Sequence, residues 1–82
     1  MLYIMKNKVS TISKKICQKI RLERVKRNLT QEKLAELAGL SRPTIGNIER
    51  ADVSPTIDTI NQLAEAFGIP FLELLDVSKF EI

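Results

Sequence analysis

The sequence has 82 residues, with 13 Lys and Arg against 10 Asp and Glu, one cysteine and no histidine. A zinc site of Cys and His, an internal disulfide and the usual pairings of catalytic nucleophile and base are therefore excluded. The length and the 44% of hydrophobic residues predict one small domain with a single core. Without histidine and with one cysteine, we expect a protein that is not an enzyme and that needs no metal, cofactor or small-molecule ligand.

The charge is distributed unevenly along the chain. Residues 1–50 hold 12 of the 13 basic and four of the acidic residues, a net charge of +8 (12 − 4). Residues 51–82 hold one basic and six acidic residues, a net charge of −5 (1 − 6). This asymmetry indicates either a polyanionic partner for the first half or only a solvated basic surface. The apolar run at 1–5 is too short for a signal peptide or a membrane span, which predicts a cytoplasmic protein.

The first predicted helix runs over about 12–27. Four of its residues share one arc of a 3.6-residue wheel: Ile12, Ile16, Cys17 and Ile20. On this arc Cys17 is better explained as a small packed residue than as a redox sensor. Asn28 follows as a left-handed stop.

Two short helices come next and lie close together in the chain. Thr30 caps a helix over about 31–38, and Gly39 ends it where a positive φ is needed. Ser41 caps a third helix over about 42–50, in which Pro43 is tolerated because first-turn amides have no helical partner.

The remaining chain predicts two more helices. After the Thr56 cap a regular apolar stripe defines the fourth: Ile57, Ile60, Leu63, Ala64 and Phe67. Gly68 ends it, and a fifth helix over about 71–76 adds Leu72, Leu74 and Leu75 to the core. No strand pattern occurs, so we predict an all-α, five-helix domain over 12–76, between a flexible segment at 1–11 and a tail at 77–82.

Residues 30–50 have the features of a helix-turn-helix, in which a short glycine-containing turn joins two helices. Ala35 is small where the helices would cross closely, and Gly39 lies in the turn. The shared core would consist of Leu34, Ala38, Leu40, Ile45 and Ile48. This combination is more specific than any of its members.

The outward face of the third helix carries polar and small residues: Arg42, Pro43, Gly46, Asn47 and Arg50. Arginine can bind guanine O6 and N7, and asparagine can bind adenine N6 and N7. Pro43 could touch a thymine methyl, and Gly46, at a cost of about 1 kcal/mol in helix propensity, would allow close approach to DNA. The alternative is an exposed face without function.

Four residues lie on faces that do not suit them. Arg24 falls on the apolar arc of the first helix, and Glu49 lies on the inward face of the third, so each needs a partner. The two could pair, or Arg24 could extend to solvent or to a phosphate. Leu22 and Val25 point away from the apolar arc. The segment 2–5 or a second subunit could cover these two side chains.

The motif "LTQEKLAELAGLSRPTIGNIER" resembles the helix-turn-helix of the phage repressor and Cro family, often called the XRE family. "IRLERVKRN" before it and "SPTIDTINQLAEAFGIPFLELL" after it are similar to the rest of that five-helix, lambda-repressor-like domain, so that the resemblance covers about 16–75. It departs from the family at Glu23, where an apolar residue is common, at Asn28, where glycine is usual, and at Pro43, which replaces a residue that commonly hydrogen-bonds bases.

This resemblance implies a role for each site residue. Gln31 would bind a backbone phosphate and brace the third helix, and Arg24 would pair with Glu49. Base-reading positions correspond to Arg42, Pro43 and Asn47. Phosphate contacts correspond to Thr30, Ser41, Thr44, Arg50 and the loop around Ser54.

These features together favour a sequence-specific DNA-binding regulator. We expect a repressor that binds double-stranded DNA as a homodimer on an inverted repeat. The dimer surface would lie around the fifth helix and the tail: Phe71, Leu75, Val77 and Phe80. The alternative is a protein-interaction module, such as an antitoxin or a polymerase-bridging cofactor, for which DNA contact is secondary.

Overall fold

The computed structural model describes residues 9–79, within which there are five α-helices and no strand. They are α1 (Thr11–Lys26), α2 (Gln31–Ala38), α3 (Arg42–Glu49), α4 (Ile57–Phe67) and α5 (Phe71–Leu75). The all-α, five-helix prediction is confirmed, with bounds that differ by one residue at most. Residues 1–8 and 80–82 lie outside the described range, and with them the segment 2–5 and Phe80.

Four of the five helices begin in the same way. The hydroxyl oxygens of Ser10, Thr30, Ser41 and Thr56 each accept a hydrogen bond from the backbone N–H three residues later, at 3.0 to 3.2 Å. Each cap satisfies one of the N–H groups that the first turn leaves without a helical partner. The caps explain why the helix starts could be predicted so closely.

Left-handed residues follow four of the five helices. Asn28 (φ 57°), Gly39 (φ 71°) and Gly68 (φ 75°) adopt this conformation at predicted stops. A fourth left-handed residue, Ala51 (φ 59°) after α3, was not predicted, because alanine has no intrinsic preference for this region.

Every helix contributes at least one fully buried side chain to a single core. The largest are Ile20 of α1, Leu34 of α2, Ile45 and Ile48 of α3, Leu63 of α4 and Leu74 of α5. Burying an aliphatic side chain of this size contributes about 1.5 to 3 kcal/mol. Cys17 is also fully buried, and burial raises the pKa of its thiol, so it packs as a small apolar residue. The core therefore holds α3 against α1 and α2.

Some of the predicted core positions are wrong. Ile57 is 72% exposed and Leu72 74% exposed, and Ile12 is also exposed. Ile57 lies in the first turn of α4, and burial begins only one turn later, at Ile60. Leu72 lies two residues from buried Leu74, which places it about 200° away on the helix. A regular stripe thus predicted the buried face but not how far along each helix the core extends.

Glu23 is buried, although the sequence offers no apolar reason for its position. Its Oε1 accepts a hydrogen bond from Arg27 Nη1 at 2.6 Å, and its Oε2 lies 3.4 Å from Lys26 Nζ. The guanidinium of Arg27 also stacks over the ring of Phe67, 4.9 Å from its centroid. Glu23 therefore occupies a usually apolar position because Arg27 neutralises it and links α1 to α4.

The lysine at position 19 joins the last helix to the first. Its Nζ donates to the backbone oxygens of Glu73 and of Asp76, the latter at 2.6 Å. These oxygens lie at the carboxyl end of α5, where helical carbonyls lack partners and a positive charge is favourable. Lys19 is therefore structural.

We expect Glu23→Gln to lower the free energy of unfolding by about 1 to 2 kcal/mol at pH 7, since it removes a charge-assisted hydrogen bond. Burial by itself would raise the pKa of Glu23, but hydrogen bonds and charges from Arg27 and Lys26 outweigh burial and lower it. The stabilisation is therefore present above the ordinary glutamate pKa of about 4.3 and is lost as the pH falls through the lower folded value.

Urea unfolding at pH 7 and at decreasing pH measures this difference. Glu65→Gln, at an exposed position of α4, is the control and should leave stability unchanged. A Glu23→Gln deficit that stays constant into strong acid would contradict the ion-pair explanation.

Candidate nucleic-acid interface

The turn between α2 and α3 sets the angle at which α3 leaves the core. Gly39 is left-handed, and the N–H of Leu40 donates to the carbonyl oxygen of Ala35 at 2.9 Å. Ala35 is buried where the two helices cross. From α4, Gln62 Nε2 donates to the carbonyl oxygen of Ala38 at 3.2 Å. The end of α2 is thus fixed from both sides, and α3 projects from it as in a helix-turn-helix.

A buried ion pair joins α3 to α1. Glu49 Oε2 accepts from Arg24 Nε at 2.7 Å, and its Oε1 accepts from Arg24 Nη2 at 3.0 Å. The Glu49 side chain is 3% exposed. A further nitrogen of the guanidinium, Nη1, donates to the carbonyl oxygen of Leu29 at 2.7 Å. The hydrogen bond to Glu49 raises the pKa of Arg24 against the opposing effect of burial. The geometry is the bidentate one that makes a buried pair favourable.

Gln31 extends this polar contact to the outer face of α3. Its Nε2 donates to Glu49 Oε1 at 3.0 Å, and its Oε1 accepts from Arg42 Nη1 at 3.0 Å. The amide therefore connects the buried carboxylate to the first side chain of α3. Sequence spacing could not reveal the contact between Gln31 and Arg42, because it depends on the crossing of α2 and α3.

On the outer face of α3, Arg42, Pro43 and Arg50 are exposed and Asn47 is half-buried. Gly46 lies on the same face and is buried. A Cβ built on Gly46 would lie 3.1 Å from Arg50 Nη1 and 3.6 Å from Arg42 Nη1. The two arginines lie one turn before and one turn after the glycine, so both guanidinium groups reach across it.

At the end of α3 a second polar cluster includes a residue that the sequence analysis missed. Arg50 Nη2 donates to Asn47 Oδ1 at 2.6 Å, and Arg50 Nε donates to Asp52 Oδ2 at 3.0 Å. In the sequence, Asp52 could have been noticed only as an acidic residue two positions after Arg50, just beyond the basic residues 1–50. That signal alone is weak, because only the left-handed Ala51 brings the carboxylate back towards α3.

The hydroxyl residues expected to contact phosphate lie at the amino ends of α2 and α3 and in the loop after α3. Thr30 and Ser41 cap α2 and α3, and the Ser41 and Thr44 hydroxyl oxygens are 2.7 Å apart. Ser54 is exposed in the loop between α3 and α4. The first N–H groups of a helix and neighbouring hydroxyls form a suitable environment for an anion. A phosphate could therefore be bound at the amino ends of both helices.

Other kinds of site are not evident in the part of the chain that the structure describes. Within residues 9–79 no group of three or more Cys, Asp or Glu residues could hold a metal ion. No helix of that range has the length and hydropathy to cross a membrane. A shallow groove of about 310 Å³ on α1 is lined by Gln18, Arg21, Leu22 and Val25.

The fold, the left-handed turn and the outward arginine and asparagine of α3 define a DNA-binding helix-turn-helix domain. Comparison with known families agrees, since residues 20–74 match the helix-turn-helix family HTH_3. The chain belongs to this family, the XRE family of transcriptional regulators.

Particular relatives are repressors and controllers. The chain is 38% identical over 64 residues to the transcriptional repressor RstR of the cryptic phage CTXphi from Vibrio cholerae, a match that covers 78% of this chain and 58% of that protein. It thus spans little more than half of that relative's length. Among solved structures, the restriction-modification controller C.AhdI from Aeromonas hydrophila shares 35% identity with a TM-score of 0.74, covering 79% of this chain and 98% of the controller.

One related structure contains DNA. The controller C.Esp1396I, bound to a 25 base pair operator site, has a TM-score of 0.77 and 27% identity over 88% of this chain and 99% of its own. In that complex the same fold binds an operator.

Removing one member of the buried pair should destabilise the domain strongly. We expect Glu49→Gln to lower the free energy of unfolding by about 3 kcal/mol, because Arg24 would remain buried without a counter-charge. Combining Glu49→Gln with Arg24→Met should cost less than the sum of the two single changes. Glu36→Gln, which breaks an exposed pair with Lys33, is the control and should change stability by less than about 1 kcal/mol. Additive losses in urea unfolding would exclude the pairing.

Gly46→Ala should increase stability by up to about 1 kcal/mol, because alanine favours the helix. The new methyl group would meet only the ends of two flexible arginine side chains, which can move away. Thermal and urea unfolding measure the change. A loss of stability would mean that the arginines cannot leave the glycine without cost.

Proposed function

We propose that the protein is a sequence-specific DNA-binding repressor that binds an inverted-repeat operator as a homodimer. The observation that carries this proposal is the outer face of α3, where Arg42 and Asn47 project from a helix that a buried ion pair holds in place. Arginine at the start of such a helix suits guanine and asparagine suits adenine, while Pro43 suits a thymine methyl. Close approach of DNA at Gly46 would require the guanidinium groups of Arg42 and Arg50, which lie across the glycine, to turn aside.

Backbone contacts would position the protein on the duplex. Phosphates would be bound by Thr30, Gln31, Ser41, Thr44, Arg50 and Ser54, which surround the base-reading residues. Such contacts set register and orientation but carry no sequence information. Specificity then depends on Arg42 and Asn47, supplemented by DNA shape, because Pro43 offers no hydrogen bond.

A second copy would bind through the apolar surface around α5. Leu72 is 74% exposed, and Phe71, Leu75 and Val77 are half-buried. An exposed apolar surface of this kind is typical of a subunit interface. Two domains of this motif place their α3 helices about 34 Å apart, one turn of DNA, which requires a twofold-symmetric operator. As a regulator that binds DNA, the protein would act in the cytoplasm.

The test is selection of binding sites from a random duplex pool, followed by titration of the selected site and of scrambled DNA at several salt concentrations. An inverted repeat whose binding persists at moderate salt supports the proposal. Binding that selects no sequence and decreases equally for all DNA as salt rises would be purely electrostatic and would refute it. Sedimentation with and without operator measures the expected dimer.

Arg42→Ala should weaken binding to the selected site by about 5- to 150-fold, the equivalent of one bidentate base contact of about 1 to 3 kcal/mol. Binding to scrambled DNA should decrease much less. Lys14→Ala removes the same charge from an exposed position of α1 and is the matched control, which should affect both DNAs alike. If Arg42→Ala also weakens both equally, Arg42 contacts phosphate and not a base.

A further inference from the structure

Arg50 lies between two acceptors and donates to both. Its Nε is 3.0 Å from Asp52 Oδ2, and its Nη2 is 2.6 Å from Asn47 Oδ1. Because the guanidinium group is planar and its donors are fixed relative to one another, the hydrogen bond from Nε determines where Nη2 points. Asp52 thus sets the direction from which Arg50 approaches Asn47.

The backbone after α3 holds Asp52 in this place. The N–H of Ala51 donates to the carbonyl oxygen of Ile48 at 2.8 Å, and the N–H of Asp52 donates to that of Asn47 at 2.9 Å. This is the Schellman pattern of helix termination, with alanine at the left-handed position that glycine usually occupies. A side chain in this conformation is unfavourable, and such residues are concentrated at functional sites. The reversal brings the carboxylate back to the last turn of α3.

Gly46 leaves room on the surface of α3 for the guanidinium group of Arg50. A Cβ at this position would lie 3.1 Å from Arg50 Nη1, closer than side chains ordinarily approach. The glycine therefore allows the guanidinium of Arg50 to lie across α3 towards Asn47. Arg50 thus lies against Gly46, Asn47 and Asp52.

The ion pair itself adds little to stability. The side chains of Arg50 and Asp52 are 61% and 53% exposed, and exposed pairs are screened by solvent. A carboxylate beside the DNA-binding surface would also repel phosphate. A gain in stability or in general affinity therefore does not account for this contact.

The orientation of the Asn47 amide decides what it can read. Adenine requires the amide oxygen to accept from N6 while the amide nitrogen donates to N7. A rotation of the amide by 180° exchanges these groups. Arginine can only donate, so its hydrogen bond to Oδ1 permits one of the two orientations and leaves the nitrogen free.

We propose that Arg50, aligned by Asp52, is a positioning residue that sets the amide orientation of Asn47 and thereby its base preference. This inference rests on the proposed function and deepens it, since Asp52 becomes a specificity-determining residue that does not touch DNA. The remaining nitrogen of Arg50, Nη1, can still bind a phosphate.

The test compares base discrimination at each operator position for the wild type, three single variants and one double variant. Asn47→Ala identifies the base pair that Asn47 reads. Asp52→Asn should lower discrimination at that same pair by about 5-fold or more, within the roughly 5- to 150-fold that a bidentate contact supplies, and leave other positions unchanged. Adding Asp52→Asn to Asn47→Ala should produce no further loss there. Glu65→Gln, the same change of charge on α4, should alter no position selectively.

A second measurement requires no DNA. In NMR spectra of the free protein, Asp52→Asn should shift the side-chain amide signals of Asn47 and accelerate exchange of the Arg50 Nε proton, whereas Asp52→Glu should largely restore both. These signals report the local contact and would not respond to a general change in stability.

Three outcomes would overturn the inference. Asp52→Asn could strengthen binding to all duplexes alike, which would make the carboxylate only a source of repulsion. The NMR signals of Asn47 and Arg50 could remain unchanged. If the wild type selects no operator at all, the proposed function fails and the inference with it. In the first two outcomes the wild type still selects an operator, so failure of this inference can be distinguished from failure of the proposed function.

Discussion

The buried carboxylate of Glu49 is the contact on which the position of α3 depends. It accepts two hydrogen bonds from Arg24 and one from Gln31, and thereby joins the third helix to the first two. An isolated helix of eight residues is unstable in water, so α3 owes its existence and its orientation to tertiary contacts. Ile45 and Ile48 provide the apolar part of these contacts, but apolar packing is not directional. The bidentate ion pair adds the direction.

The same polar contacts continue outward to the surface of α3. Through Gln31 the carboxylate is linked to Arg42, and at the other end of the helix Asn47 is linked to Arg50. Long side chains lose about 2 kcal/mol of rotamer entropy when they are immobilised. Side chains that are partly ordered before binding lose less of it on contact with a ligand, which favours affinity and selectivity together. The site is therefore arranged before any partner arrives.

The positive charge of residues 1–50 is only partly available at this surface. Arg24 is buried with Glu49, Arg27 neutralises Glu23, and Lys19 binds the carboxyl end of α5. These three cations are part of the structure of the domain, and each supports a different contact between helices. A count of charges along the sequence thus overstates the attraction to a polyanion, because it does not separate cations that hold the fold together from those that face solvent.

The helices could be predicted because their signals are local: the caps at Thr30 and Ser41, the left-handed stop at Gly39 and the apolar periodicity act within a few residues. The helical pattern also indicated that Arg24 and Glu49 each required a partner. The other features depend on contacts between helices. The exposure of Ile57 and Leu72 depends on where neighbouring helices end, and the burial of Glu23 depends on Arg27 and its contact with Phe67. The contact of Asp52 with Arg50 follows from a left-handed alanine that no local preference predicts. Such features arise where separate elements meet, and the pattern within one element does not specify which side chains its neighbour will place against it.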